Sequence, residues 1–229
     1  MIERLLFQND ACLVINKLPG ESSERIELGS IYEGETFPVH RLDMPVTGCL
    51  LLAKNTNAAA FLSEAFACPA SSGKPGRVEK FYWAIVEKPV SAILQEAELI
   101  HWISFDRKKN KSYAHDKARS GSKKAILRYR VIGQGENYIF LEIDLVTGRH
   151  HQIRAQLAAL GLHIKGDLKY GARRSEKAGG IRLHAYSLAF PNPINPSETV
   201  KITALPPFTD HLGLDSLWTA FHKTGIFFS

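Results

Sequence analysis

Residues 37–54 read FPVHRLDMPVTGCLLLAK. Cys49 to Ala53 is an unbroken apolar run of strand length, which predicts a strand covered on both faces. Pro45 biases Met44 away from helix, so the polar cluster His40-Arg41-Leu42-Asp43 falls on a turn beside that buried strand. Taken alone, Arg41 and Asp43 read as an exposed ion pair of little consequence. The weight of the cluster comes from the rest of the chain.

On the N-terminal side, Ala11 to Asn16 (ACLVIN) predicts a short buried strand and Lys17-Leu18-Pro19-Gly20 a turn. The strand pattern therefore starts at once, which leaves no room for an appended module before it in the expected arrangement. Residues 21–36 are polar and predict loop with a short helical turn. On the C-terminal side, Asn57 to Phe66 has helical composition, and the Pro, Ser and Gly of Cys68 to Gly76 predict an exposed loop, a candidate contact surface.

Lys80 to Val86 (KFYWAIV) predicts a strand with Tyr82, Ala84 and Val86 on one face and Phe81, Trp83 and Ile85 on the other. Strands are also expected over Leu99 to Phe105 and Ala125 to Val131, with the basic stretch Arg107 to Lys124 between them as a solvated hairpin or loop. Tyr138 to Val146 alternates, placing Ile139, Leu141, Ile143 and Leu145 on one face. Arg149 to Leu160 (RHHQIRAQLAAL) predicts an amphipathic helix buried through Ile153, Leu157 and Leu160 and capped by Gly161. Arg154 then lies one turn beyond His150 on nearly the same face. Positive charge at a helix start opposes the macrodipole, so this run needs a buried carboxylate or an anionic ligand such as phosphate. Ile181 to Phe190 predicts a last strand, and Leu214 to Phe221 a terminal helix. No regular βαβ alternation emerges, which predicts an α+β fold, a mainly antiparallel mixed sheet with flanking helices and loops, forming one domain over 1–229.

Composition is that of a folded protein, with 45% hydrophobic and 23% charged residues. The 29 Lys and Arg against 23 Asp and Glu leave a net +6, which suits a polyanionic partner. Three separated cysteines, Cys12, Cys49 and Cys68, predict reduced thiols in the cytoplasm and neither a disulfide frame nor a zinc site. The N-terminus carries no signal-peptide core or membrane span.

Five ordered motifs carry a family resemblance. HRLDMPVTGCLLLAK at 40–54 resembles H-R-L-D-x-x-T-S-G-L-L-L-x-A-K, and Lys80-Phe81-Tyr82 resembles K-x-Y. Gly148 to Arg154 matches G-R-x-H-Q-I-R, and His163 to Gly171 resembles P-I-x-G-D-x-x-Y-G. Leu183-His184-Ala185 supplies the final L-H-A. Together, over most of the chain, these resemble the RluA-type RNA pseudouridine synthases. Val46 and Thr47 stand where Thr and Ser are usual, and His163 replaces a common proline; the departures touch fine positioning and leave the acid, the tyrosine and the arginine in place.

The resemblance implies an RNA pseudouridine synthase that isomerises uridines of ribosomal RNA, transfer RNA or both, as a monomer, without cofactor or metal. It implies Asp43 as the nucleophile, its carboxylate either attacking the ribose at C1′ or taking the proton at C2′, Arg154 as the cation that keeps it ionised, and Tyr82 against the target base, either stacking on it or removing the proton at carbon 5. Arg154 on an RNA phosphate is the other reading. Leu183 would pack on the uracil or belong to the core. Arg41 would fill the space left by the flipped uridine, bind a phosphate or make a salt bridge, and His40 would assist in substrate binding. His40, His150 and His151 lack the further ligands a zinc site needs. The rival of another class is an RNA-binding or chaperone protein on the same fold. A hydrolase would need a second carboxylate that the Asp43 motif does not contain.

Overall fold

The structure is a computed structural model and describes residues 4–68, 77–176, 179–207 and 218. Its strands are β1 (Leu5–Gln8), β2 (Cys12–Lys17), β3 (Phe37–Pro38), β4 (Thr47–Ala53), β5 (Glu79–Glu87), β6 (Glu96–Asp106), β7 (Lys111–His115), β8 (Lys123–Gln134), β9 (Tyr138–Asp144), β10 (Leu183–Pro191) and β11 (Thr199–Thr203). Its α-helices are α1 (Thr56–Ala67) and α2 (Gln152–Ala159). The chain forms two compact units, Met1–Phe81 with His184–Pro207, and Tyr82–Leu183 with Phe208–Ser229.

In the first unit the strands run in the order β1-β2-β4-β10, with β3 on β4 and β11 on β10. β2 pairs antiparallel with β4, setting Lys17 opposite Gly48, while β4 and β10 are parallel through Thr47–His184 and Gly48–Ala185. Every residue of β4 is buried, as its apolar run requires. Cys49, Leu51 and Ala53 pack with Leu62 of α1 and with Leu188 and Phe190 of β10 in one core. Helix α1 starts where the side chain of Asn55 accepts the amide of Ala58 at 2.9 Å. Gly48 has φ +113, and a Cβ there would strike the carbonyl of Ala185, so only glycine lets β4 and β10 meet at this point.

The second unit carries β5-β9-β8-β6-β7, with the β9–β8, β8–β6 and β6–β7 pairs antiparallel. The basic stretch 107–124 holds an edge strand of its own, β7, whose Ser112 is buried. Helix α2 packs on β6 and β7, fastened by Gln156, whose amide donates to the carbonyl of Leu99 at 3.1 Å. It begins at Gln152 and not at Arg149, because His151 has φ 49 and breaks the helical path. His150 therefore precedes the helix, and its sharing of a helical face with Arg154 does not hold. Leu160 is 44% exposed and lies off the buried face formed by Ile153 and Leu157. Gly161, at φ 72, ends the helix as expected.

The fold is α+β. Among the described residues no helix is long and apolar enough to cross a membrane, and no group of three or more His, Cys, Asp or Glu could hold a metal ion. Cys12 and Cys49 are buried free thiols. The loop expected over Cys68 to Gly76 falls, beyond Cys68, outside the described residues, as does the terminal helix expected at Leu214 to Phe221 apart from Trp218.

Candidate active site

In the first unit, Asp43 is half-buried on a turn closed by the Val46 amide donating to the Asp43 carbonyl at 2.9 Å. Both neighbours of Asp43 are held from the segment 17–24. The buried hydroxyl of Ser23 accepts the Leu42 amide at 3.0 Å and donates to the Leu42 carbonyl at 2.9 Å. On the other side, the Met44 carbonyl accepts from the Gly20 amide at 2.8 Å and from Lys17 Nζ at 3.1 Å. Lys17 is fully buried, and its ammonium also donates to the Leu18 carbonyl. Burial pushes its pKa down to about 8, against the opposing pull of Glu21 and Asp43. Arg4 holds Glu21 through two hydrogen bonds, at 3.1 and 2.8 Å, and Glu21 in turn accepts the Leu18 amide. The turn bearing Asp43 is thus braced on both flanks by side chains that local pattern does not mark.

His40 accepts the Leu51 amide at 3.0 Å through Nε2 and stacks on Phe66 at 4.6 Å. Burial, then Lys80, pushes its pKa down to about 3, so it is neutral and anchors the turn to β4. Arg41 is exposed and pairs with exposed Glu24 at 2.8 Å, an interaction worth little energetically. Thr47 Oγ1 lies 2.7 Å from His184 Nδ1, and His184 Nε2 lies 2.9 Å from the Ala204 carbonyl. A carbonyl can only accept, which places the imidazole proton on Nε2 and makes Thr47 the donor to Nδ1. Burial lowers the His184 pKa to about 4. The first and last motifs of the chain are joined by this bond.

In the second unit, Tyr82 is buried on β5 with Ala84 and Val86. Arg154, buried on α2, meets Asp167 in a two-point pair, Nε to Oδ2 at 2.7 Å and Nη2 to Oδ1 at 2.8 Å. Its guanidinium lies 4.9 Å from the Tyr170 ring centroid. Planar pairing and stacking together are what arginine, and not lysine, provides. The basic start of α2 has its buried carboxylate in Asp167. By local pattern Asp167 is only a turn residue; its signal is its place in the Gly-Asp motif. Gln152 ties down the turn before the helix, accepting from the Arg149 amide and the Thr147 hydroxyl and donating to the Ile126 carbonyl. Leu183 is buried at the end of the unit. Of the six residues singled out from the sequence, His40, Arg41 and Asp43 lie in the first unit and Tyr82, Arg154 and Leu183 in the second.

The RNA pseudouridylate synthase family model matches residues 21–159. The chain belongs to that family. An uncharacterized RNA pseudouridine synthase of Zymomonas mobilis is 31% identical over 92% of this chain and 97% of its own length. The tRNA pseudouridine synthase C of Haemophilus ducreyi is 30% identical over 88% of this chain and 90% of its own. Among solved structures, Human RNA Pseudouridylate Synthase Domain Containing 1 shares the fold, with a TM-score of 0.70 at 23% identity over 98% of this chain and 95% of that one. The protein is an RNA pseudouridine synthase of the RluA type, an isomerase.

Proposed function

We propose that this synthase isomerises specific uridines of transfer RNA, ribosomal RNA or both in the cytoplasm, with Asp43 as the nucleophile. The observation that carries the assignment is the bracing of Asp43: the backbone on either side of one half-buried carboxylate is fastened by Ser23 and Lys17. Such rigidity serves a group that must be held at attack distance from a substrate.

The reaction breaks the glycosidic bond of uridine, turns the base, joins carbon 5 of the uracil to the ribose and transfers the carbon 5 proton to solvent, while the freed ring nitrogen takes up a proton. Substrate and product are isomers, so no electrons are gained or lost. Asp43 bonds to the ribose as the base departs and is released when the carbon–carbon bond forms. Tyr82 lies against the uracil and keeps it in place between these steps. Arg154, oriented by Asp167, supplies a fixed positive charge to the site. Leu183 packs on the base, while Arg41, released from its exposed pair with Glu24, meets the RNA backbone. His40 contributes by holding the turn. The resemblance to the Haemophilus ducreyi protein over nearly its whole length supports transfer RNA as the first substrate to test.

The test uses transfer RNA and ribosomal RNA tritiated at uracil carbon 5. The wild type releases tritium without freeing uracil, and Asp43→Asn releases none while binding RNA within about tenfold of wild type, since no positive charge is removed. Undiminished release by Asp43→Asn would overturn the nucleophile assignment. Free uracil would show hydrolysis, and RNA binding with no release from any cellular RNA would show a binding protein.

A further inference from the structure

We propose that Phe105 and His150 form a shelf on which one unpaired base of the RNA stacks, with its phosphates drawn to the neighbouring turn of Arg107, Lys108 and Lys109. The proposal rests on the reading that the substrate is RNA.

Phe105 is on the face of β6 that carries Leu99, His101 and Ile103, all buried. It alone of these is open, at 44% exposure. The ring of His150 lies against it, centroids 4.1 Å apart and planes tilted by 50°, and His150 is stacked in turn on His151 at 3.8 Å. These imidazoles are held in place. Ser112 Oγ is 3.1 Å from His150 Nδ1, and the Tyr170 hydroxyl is 3.0 Å from His151 Nδ1. That hydroxyl also accepts the Ser112 amide at 2.8 Å and donates to the Ser112 carbonyl at 3.1 Å. Ser112 is the cross-strand partner of Phe105. A preformed aromatic surface loses little entropy when a flat ligand settles on it.

The charge beside the shelf decides what that ligand is. The β6–β7 turn begins directly after Phe105 and Asp106, and Arg107, Lys108 and Lys109 are all exposed on it. Asp106 accepts the Lys109 amide at 3.1 Å and is used in closing the turn. An apolar protein partner would need a broad apolar patch, whereas one open ring bordered by three cations is the composition of a surface for single-stranded nucleic acid. Stacking requires a free base face, which a duplex does not offer.

A short single-stranded oligoadenylate RNA tests the shelf apart from catalysis, because it contains no uridine and its binding does not depend on what Asp43 does. Phe105→Ala and His150→Ala should each weaken binding of this probe about five- to tenfold, and Phe105→Trp should preserve it. A duplex RNA of the same length should bind wild type and Phe105→Ala alike. The double variant Lys108→Gln with Lys109→Gln should flatten the dependence of log affinity on log salt by about 1.4, near 0.7 for each phosphate no longer neutralised. Circular dichroism and thermal midpoint should be unchanged for Phe105→Ala, whose ring is already half open. The proposal is overturned if wild type does not bind the single strand, if Phe105→Ala binds it within about twofold of wild type, or if single strand and duplex weaken equally. An unchanged salt slope overturns the role of the turn. Pseudouridine formation without these effects would leave the synthase reading standing and remove the shelf alone.

Discussion

The Ser23 hydroxyl closes on both backbone groups of Leu42, accepting its amide at 3.0 Å and donating to its carbonyl at 2.9 Å, in a buried setting one residue before Asp43. Replacing this hydroxyl strands two buried polar groups at once. Ser23→Ala should cost about 1–3 kcal/mol of stability, read from the denaturant midpoint, and should lower kcat more than it raises KM as Asp43 gains freedom. A variant with lower stability but wild-type turnover would show that the brace serves the fold and not the acid.

Lys17 makes a prediction about alkaline pH. Its folded pKa of about 8 lies below the ordinary 10.5, so between these values the unfolded chain holds a proton that the folded chain has released. Raising the pH across that window therefore favours folding. The stability of wild type relative to Lys17→Met should rise by about 3 kcal/mol from pH 8 to 10.5. Unfolding of both proteins at several pH values measures the difference, and a flat one would show that burial does not disfavour the charge on Lys17.

His184 acts at the acid end. Its folded pKa, about 4, lies below the ordinary 6.5, so the unfolded state binds more protons below pH 6.5 and stability is lost as the pH falls towards 4. The contribution at stake is about 3 kcal/mol. An NMR titration should find the His184 ring neutral down to about pH 4. Titration near 6.5 would contradict its bond to Thr47.

Arg154 and Asp167 form a buried two-point pair. Asp167→Asn takes the charge out of a buried two-point pair and should destabilise the protein by about 3–5 kcal/mol, seen as a lower denaturant midpoint. Arg154→Lys should not restore activity, because an ammonium can reproduce neither the two-point pair nor the stacking on Tyr170. Full activity in that variant would show that charge alone is needed.

Much of the fold was legible in local pattern. The buried strand at Thr47–Ala53, the helix after Asn55, and the alternation of Ile139, Leu141, Ile143 and Leu145 follow from apolar spacing and capping, which act over a few residues. The start of α2 was less legible. Arg149 to His151 continue a helical pattern, but the left-handed backbone of His151 delays the start of the helix to Gln152, and nothing in its side chain announces that conformation. Lys17 reads as a turn residue because lysine is seldom buried, yet it is the last residue of β2 and fully enclosed, since two carbonyls accept its protons. The edge strand β7 was hidden by the charged turn before it, whose Lys108 and Lys109 are exposed and give the whole stretch the composition of a loop.

By itself the sequence determined the family, through five motifs in order, and with it the acid, the tyrosine and the arginine on which the chemistry is proposed to rest. Only the tertiary structure decided which side chains serve them: Ser23 and Lys17 on the flanks of Asp43, Asp167 on Arg154, and Thr47 against His184. Motifs persist as strings because each residue type is suited to its chemistry. Partners 13 to 137 residues apart are chosen by strand order and register, which bring together groups whose need for each other no local spacing expresses.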